Sequence, residues 1–147
     1  MKYFVLLMYA GIVMTIFVSC KKEPSKIINN STSIIGKWEL RQTVGNTPVK
    51  NYAQGNGSIY EFTDSGYSIF ANGTLIKKGI YNTSFDSTAS EVTGIVESHS
   101  GQFTNRIIFN NDTISNKIFY QISNNKLTFI SGYFPLDGGF SSTYERQ

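Results

Sequence analysis

From Ile34 to the end of the chain, short apolar stretches alternate with turn signals, and no stretch carries a convincing helical period. That pattern confines the fold to antiparallel β-structure. Residues 35–44 read as a first strand with Trp38, Leu40 and Gln42 on one face. Residues 58–63 put Tyr60 and Phe62 together, and Asp64-Ser65-Gly66 turns the chain into residues 67–71. Asn72-Gly73 is the strongest hairpin signal present, because both central positions of a type I′ turn need φ > 0. It leads into one long strand over residues 74–82.

The second half repeats the theme. Residues 91–98 alternate Val92, Gly94 and Val96 with their neighbours, and residues 105–110 carry Ile107, Ile108 and Phe109. Residues 117–122 place Ile118, Tyr120 and Ile122 on one face. Asn124-Asn125 turns into residues 126–131, with Leu127 and Phe129 together, and residues 140–146 close the chain. Such a series predicts an all-β domain over residues 34–147. Its form is an antiparallel up-and-down β-barrel of about eight strands or, alternatively, a β-sandwich. With 9 Tyr and 11 Phe among many Thr, Ser, Ile, Asn and Gly, the composition suits strands and tight turns. No repeat of fixed length is present, which argues against a propeller or solenoid.

The first 33 residues are a different kind of sequence. Lys2 precedes an apolar run over residues 3–18, and Ser19-Cys20-Lys21-Lys22-Glu23-Pro24 follows. The run falls short of the ~20 apolar residues that span a bilayer comfortably. Its order of positive, apolar and small residues is that of an export signal. Cys20 is the only cysteine, so no internal disulfide explains it. Phe17-Val18-Ser19-Cys20 resembles the lipobox of bacterial lipoproteins, with Phe17 where that pattern usually has Leu. The resemblance implies a signal peptide over residues 1–19, cleavage before Cys20, and acyl chains such as palmitate on Cys20. It implies a protein anchored to a membrane of the cell envelope, most naturally the outer membrane, with the periplasmic or surface face open. Residues 20–33 then form the acylated cysteine and a polar tether. Lys21-Lys22-Glu23 also loosely resembles the surface-export signals of Bacteroidetes lipoproteins.

Without the signal, 128 residues remain, enough for one domain, with a formal charge of +2. No basic cluster exceeds Lys21-Lys22 or Lys77-Lys78, so the electrostatic footprint of a nucleic-acid binder is missing. The search for chemistry yields little. His99 is the only histidine, in the polar stretch Ser98-His99-Ser100-Gly101, and no Gly-x-Ser-x-Gly elbow accompanies it. One histidine and an acylated cysteine do not make a zinc site, and phosphate-cradling and dinucleotide fingerprints are missing. Glu39, Glu61, Glu91, Glu97 and Glu145 are the residues from which a carboxylate pair would have to be drawn, although strand glutamates usually face solvent. The expectation is a protein that is not an enzyme, with no catalytic residues, metal or cofactor.

Gly36-Lys37-Trp38 resembles the Gly-x-Trp opening of lipocalin-like domains. The final strand, residues 142–147, resembles the closing strand of small lipocalin-like lipoproteins of Bacteroidetes type. In that superfamily a Trp near the N-terminus packs at the closed end of an up-and-down barrel, under a basic residue from the last strand. Trp38 and Arg146 stand at the matching positions, and a guanidinium over an indole gains ~0.5–2 kcal/mol. The resemblance implies a barrel whose mouth binds a small apolar or amphipathic ligand. Tyr60, Phe62, Tyr67, Tyr120 and Phe129 are the candidate cavity residues. The alternative is a structural or interaction protein of the envelope, with a filled barrel and a protein or glycan partner. An open cavity favours the first reading; a filled interior favours the second. The aromatic loop over residues 132–140 is either a lid, a partner-binding edge or a cap on the core. Asp86-Ser87-Thr88 and Asp112-Thr113-Ile114 resemble short O-glycosylation sites, and they are equally good turn chemistry.

Overall fold

The computed structural model describes residues 32–45, 47–95 and 103–147. The signal, Cys20, nearly all of the tether, Glu97 and His99 lie outside the described residues. Ten strands form a single antiparallel sheet: β1 (Gly36–Val44), β2 (Lys50–Asn51), β3 (Ile59–Phe62), β4 (Tyr67–Ala71), β5 (Thr74–Gly79), β6 (Tyr81–Phe85), β7 (Asn105–Phe109), β8 (Ile118–Ser123), β9 (Lys126–Ser131) and β10 (Phe140–Arg146). The order round the sheet is β5-β4-β3-β1-β10-β9-β8-β7-β6, with the short β2 pairing beside β1. The two strands at the ends of that order, β5 and β6, are consecutive in the chain with only Ile80 between them. The sheet therefore curls back to the stave from which it started. The protein is an antiparallel up-and-down β-barrel, nearly closed, and its nine-strand path makes eight staves.

Register fixes the stagger of this barrel. Phe85 lies level with Asn105, Tyr120, Phe129, Ser142 and Thr43 in turn. Four residues further along β10, Arg146 is level with Trp38, Tyr60, Ile69 and Lys77. Lys77 precedes Phe85 by eight residues on the shared stave, yet one circuit brings it four residues above, a stagger of twelve. An eight-stranded barrel with a shear of about 8 has an interior that branched aliphatic side chains fill. Tilt, stagger and bore are linked, so the larger stagger makes a wider interior. Filling it needs larger side chains, which is what the abundance of Phe and Tyr supplies.

Three local expectations are corrected. Gln42 does not share the face of Trp38 and Leu40. A bulge at Arg41 shifts the register so that Leu40 opposes Tyr144 while Gln42 opposes Thr143 on the other face. The long strand expected over residues 74–82 is two strands broken at Ile80, each with its own neighbour. Of the strand expected over residues 91–98, the described part is not extended: Ala89–Thr93 form a short helix, α1, ended by Gly94 at φ 68°, and residues 96–98 lie outside the described residues. This helix lies on the outside of the barrel, where Ala89 joins Phe103, Phe119 and Ile130 in a second apolar cluster edged by Val92, Ile95 and Phe134. Phe119 and Ile130 point outward from β8 and β9 and need a cover, and α1 is that cover. A side chain at Gly94 would sit 2.6 Å from Pro135 and 2.8 Å from Tyr133, so helix and loop meet only through a glycine.

The break at Ile80 is tied down by one side chain. Asn110 accepts from the Ile80 N–H through Oδ1 at 3.2 Å and donates from Nδ2 to the Tyr67 hydroxyl at 3.1 Å. Its own N–H bonds Ile80 O at 2.9 Å. Asn110 holds φ at 52°, a left-handed conformation that asparagine tolerates. It thereby links β4, the β5–β6 corner and the end of β7 where the sheet does not pair.

Candidate functional site

One end of the barrel is closed by its first and last strands. Trp38 is fully buried, and its Nε1 donates to the Ile34 carbonyl at 2.6 Å. The Arg146 guanidinium lies 4.1 Å from the Trp38 ring. Its Nη1 donates to Ile35 O at 2.8 Å and its Nη2 to Ser33 O at 2.6 Å. The residues expected to close the barrel are thus brought together, and they also clasp residues 33–35, where the tether enters. Gly36 is needed here: its φ is 134°, and a Cβ would stand 2.7 Å from Arg146 Nη1.

The five candidate cavity residues also converge, on one another. Phe62, Tyr67, Tyr120 and Phe129 are buried core residues, and Tyr60 packs against them. Tyr60 stacks on Phe62 at 5.6 Å between ring centroids and meets Phe129 at 5.7 Å. Tyr120 contacts Phe129 at 6.4 Å, and Tyr67 contacts Phe109 edge-on at 4.7 Å. Tyr81 and Tyr144 extend the cluster against Phe62 and Tyr60. These separations are those of aromatic pairs in direct contact. Burial, with Tyr144 and Tyr67 close by, pushes the Tyr60 phenol well up from its ordinary range, so it stays neutral. Small hydroxyl side chains are interleaved with the large ones: Thr83 pairs with Ile107, Ser131 with Ile118 and Phe140, and Ser142 with Phe129 and Thr43.

A carboxylate network escaped the sequence reading. Glu39, only 1% exposed, accepts from the backbone N–H groups of Gly55 and Gly57, each at 3.1 Å. Arg41 Nη1 reaches it at 2.8 Å, and Arg41 Nε reaches Glu145 at 3.1 Å. Burial alone would raise the pKa of Glu39, but the Gly55 N–H, Arg41 and the Gly57 N–H outweigh it and hold the carboxyl at about 2. Arg41 follows Glu39 by two residues on the same strand face, and the bulge falls just there. The signal available beforehand was weak: a glutamate directly after an inward Trp, with Gly55-Asn56-Gly57 sixteen residues on. Glu39 and Glu145 do share a site, but a carboxyl held ionised is the reverse of a general acid. Glu61 pairs with Lys37 at 3.6 Å, and Glu91 lies on α1.

The remaining motifs resolve as turn chemistry. Asp86 accepts from Lys117 Nζ at 2.8 Å and from the hydroxyl and N–H of Thr88 at 2.6 and 3.0 Å. The Lys117 and Thr88 bonds hold its pKa at about 2. Asp112 accepts from the N–H groups of Ile114 and Ser115, both at 3.0 Å. The aromatic loop divides its roles: Phe134 packs on the outer cluster, while Tyr133, Leu136 and Phe140 stay exposed.

These features define the class: an up-and-down β-barrel whose first and last strands are clasped at one rim and whose core holds a cluster of aromatic rings in mutual contact. No protein-family model matches the chain, and no curated protein or solved structure matches it either.

Proposed function

We propose that the protein is a lipid-anchored, non-enzymatic component of the cell envelope, related to the lipocalin-like lipoproteins, that works through its outer surface. The observation that carries this is the mutual packing of Tyr60, Phe62, Tyr67, Tyr120 and Phe129 with their aromatic neighbours. Rings that fill a wide bore are occupied in stability and leave their faces unavailable to a ligand. The anchor is supported by Cys20 behind its apolar run and by a tether that joins the barrel at a clasped end. In this reading the partner is a protein, glycan or lipid surface of the envelope. A second reading has one observation in its favour. Thr43, Thr83, Ser131 and Ser142 set hydroxyl groups in register with the apolar Ile107, Ile118 and Phe129, a mixed lining that suits a small amphipathic molecule.

Two experiments test the proposal. Metabolic labelling with a palmitate analogue is expected to mark the wild type and not Cys20→Ala, and labelling of the variant would refute the anchor. Native mass spectrometry of protein released gently from membranes is expected to give the mass of the acylated chain alone. A stoichiometric extra mass, lost on denaturation, would refute the filled-barrel reading and establish the carrier.

A further inference from the structure

We infer that the rim opposite the Trp38–Arg146 clasp docks on a lipid surface through aliphatic residues held out on rigid turns. Neighbouring staves are antiparallel, so the connections fall on two rims. The clasp rim holds the start of β1, the end of β10 and the β3–β4 and β8–β9 turns. The far rim holds the β1–β3, β4–β5, β7–β8 and β9–β10 connections. Among the described residues, five of the ten exposed large hydrophobic side chains stand at that far rim, including the two most exposed. Ile114 is 98% exposed and Leu136 81%, with Val49, Tyr133 and Phe140 about half exposed.

These side chains are presented, not merely left over. Ile114 stands on a turn whose N–H groups are tied to the Asp112 carboxylate, while the Asp112 N–H bonds Phe109 O at 3.0 Å. Leu136 ends a 3-10 turn, Phe134–Leu136, that starts with Pro135 near its head. That turn is closed by Asp137 N–H to Phe134 O at 3.1 Å and Gly138 N–H to Tyr133 O at 3.0 Å. Phe134 is its root, packed on the outer cluster and against Gly139. The two turns are neighbours, because the strands they flank are paired at Ile118 and Ser131. Phe140 follows in the same arc, 3.3 Å from where a Cβ on Gly45 would be. Turns that are already ordered lose little conformational freedom when their tips are buried.

The chemistry of the tips selects the occupant. The most exposed of them, Ile114, Leu136 and Val49, are aliphatic and stand on separate turns, with the rings of Tyr133 and Phe140 half-exposed beside them, so a protein partner would need a separate pocket for each. Protein interfaces also draw their binding energy chiefly from Trp, Tyr and Arg in well-packed pockets, with Leu under-represented. Fluid hydrocarbon closes around any shape and rewards apolar area alone. Charge identifies the surface further. Among the described residues of this arc, Lys117 is committed to Asp86, Asp112 to its own turn, and Lys50 lies over the Tyr52 ring, so no cluster of free cations is presented to anionic headgroups. The lipid is therefore zwitterionic, and docking is insensitive to salt. This inference does not rest on the anchor, but it gives the outer-surface reading a partner.

The test places tryptophan at the tips of the full-length protein mixed with phosphatidylcholine vesicles. Ile114→Trp and Leu136→Trp are compared with Phe85→Trp, an exposed site at the clasp-facing end of β6; the native Trp38 is buried and common to all three. With bromine on the acyl chains, emission from the two rim tryptophans is expected to fall at least twofold, with no change for Phe85→Trp. In a Val49→Trp reporter, adding Ile114→Asn and Leu136→Asn is expected to cut bromolipid quenching at least fivefold, while the Trp38 contribution shows the barrel intact. Quenching at the rim by aqueous acrylamide but not by bromolipid would overturn the inference. Equal bromolipid quenching at all three sites would overturn it too, and so would docking that needs anionic lipid.

Discussion

Replacing Glu39 with Gln is the most informative perturbation of the fold, because one buried charge joins three parts of it. The carboxylate takes the N–H groups of Gly55 and Gly57 and the Arg41 guanidinium, and it is 1% exposed. An amide keeps the shape but replaces one acceptor oxygen with a donor that faces other donors. Its pKa of about 2 in the fold, against 4.5 for an unperturbed glutamate, is a difference of about 2.5 units. At ~1.36 kcal/mol per unit this corresponds to about 3 kcal/mol of stability. The sign follows from the folded pKa lying below the unfolded one. The contribution is fully present above pH 4.5 and is lost as pH falls toward 2. Asp86, held at about 2 as well, adds a similar acid-sensitive part that Glu39→Gln leaves intact. Urea unfolding followed by Trp38 fluorescence reads both effects, since the sole tryptophan is fully buried. Glu39→Gln is expected to lose ~2–4 kcal/mol at pH 7, in the range for breaking a buried, hydrogen-bonded charge pair. Its deficit against the wild type is expected to narrow steadily between pH 4.5 and 2.5. A loss below about 1 kcal/mol at pH 7, or a deficit that does not change with pH, would refute the account of Glu39.

Arg146→Ala removes the cation over Trp38 and two bonds to the carbonyls of Ile35 and Ser33; a loss of ~2 kcal/mol and a red shift of Trp38 emission are expected by urea unfolding and fluorescence. Arg146→Lys should recover less than half, because the ammonium lacks the planar fork that serves both carbonyls. Gly94→Ala forces a side chain into φ 68° and into Pro135, so hydrogen exchange across Ala89–Thr93 should quicken at least tenfold while β1 and β10 stay protected.

Much of the barrel was legible because strand faces alternate with period 2. Tyr60 with Phe62, Ile118 with Tyr120 and Ile122, and Leu127 with Phe129 were grouped correctly from spacing alone. Trp38 and Arg146 were paired through the resemblance to lipocalin-like domains, not through spacing, and they do meet. What failed depended on partners distant in sequence. The bulge at Arg41 is invisible in residues 36–44, because it is defined by the pairing with β10, whose Glu145 also meets Arg41. Val92, Gly94 and Val96 alternate like a strand, yet five residues here form a helix because outward Phe119 and Ile130 require a cover. The apolar runs Ile118-Phe119-Tyr120 and Phe129-Ile130 held that signal, since strands wet on one face alternate and these do not. Strand pattern shows which rings face inward. It does not reveal the stagger of the barrel, and therefore not how much space those rings have to fill.

Phe129→Ala tests the central claim most directly. Phe129 is 7% exposed, and its ring touches those of Tyr60, Phe62, Tyr120 and Tyr144 at 5.7–6.4 Å. If those rings plug the barrel, deleting one leaves a cavity, and urea unfolding should show a loss of about 3–5 kcal/mol. If Phe129 instead lines a binding cavity, its removal merely enlarges a space already there. A loss under about 1 kcal/mol would then contradict the filled barrel.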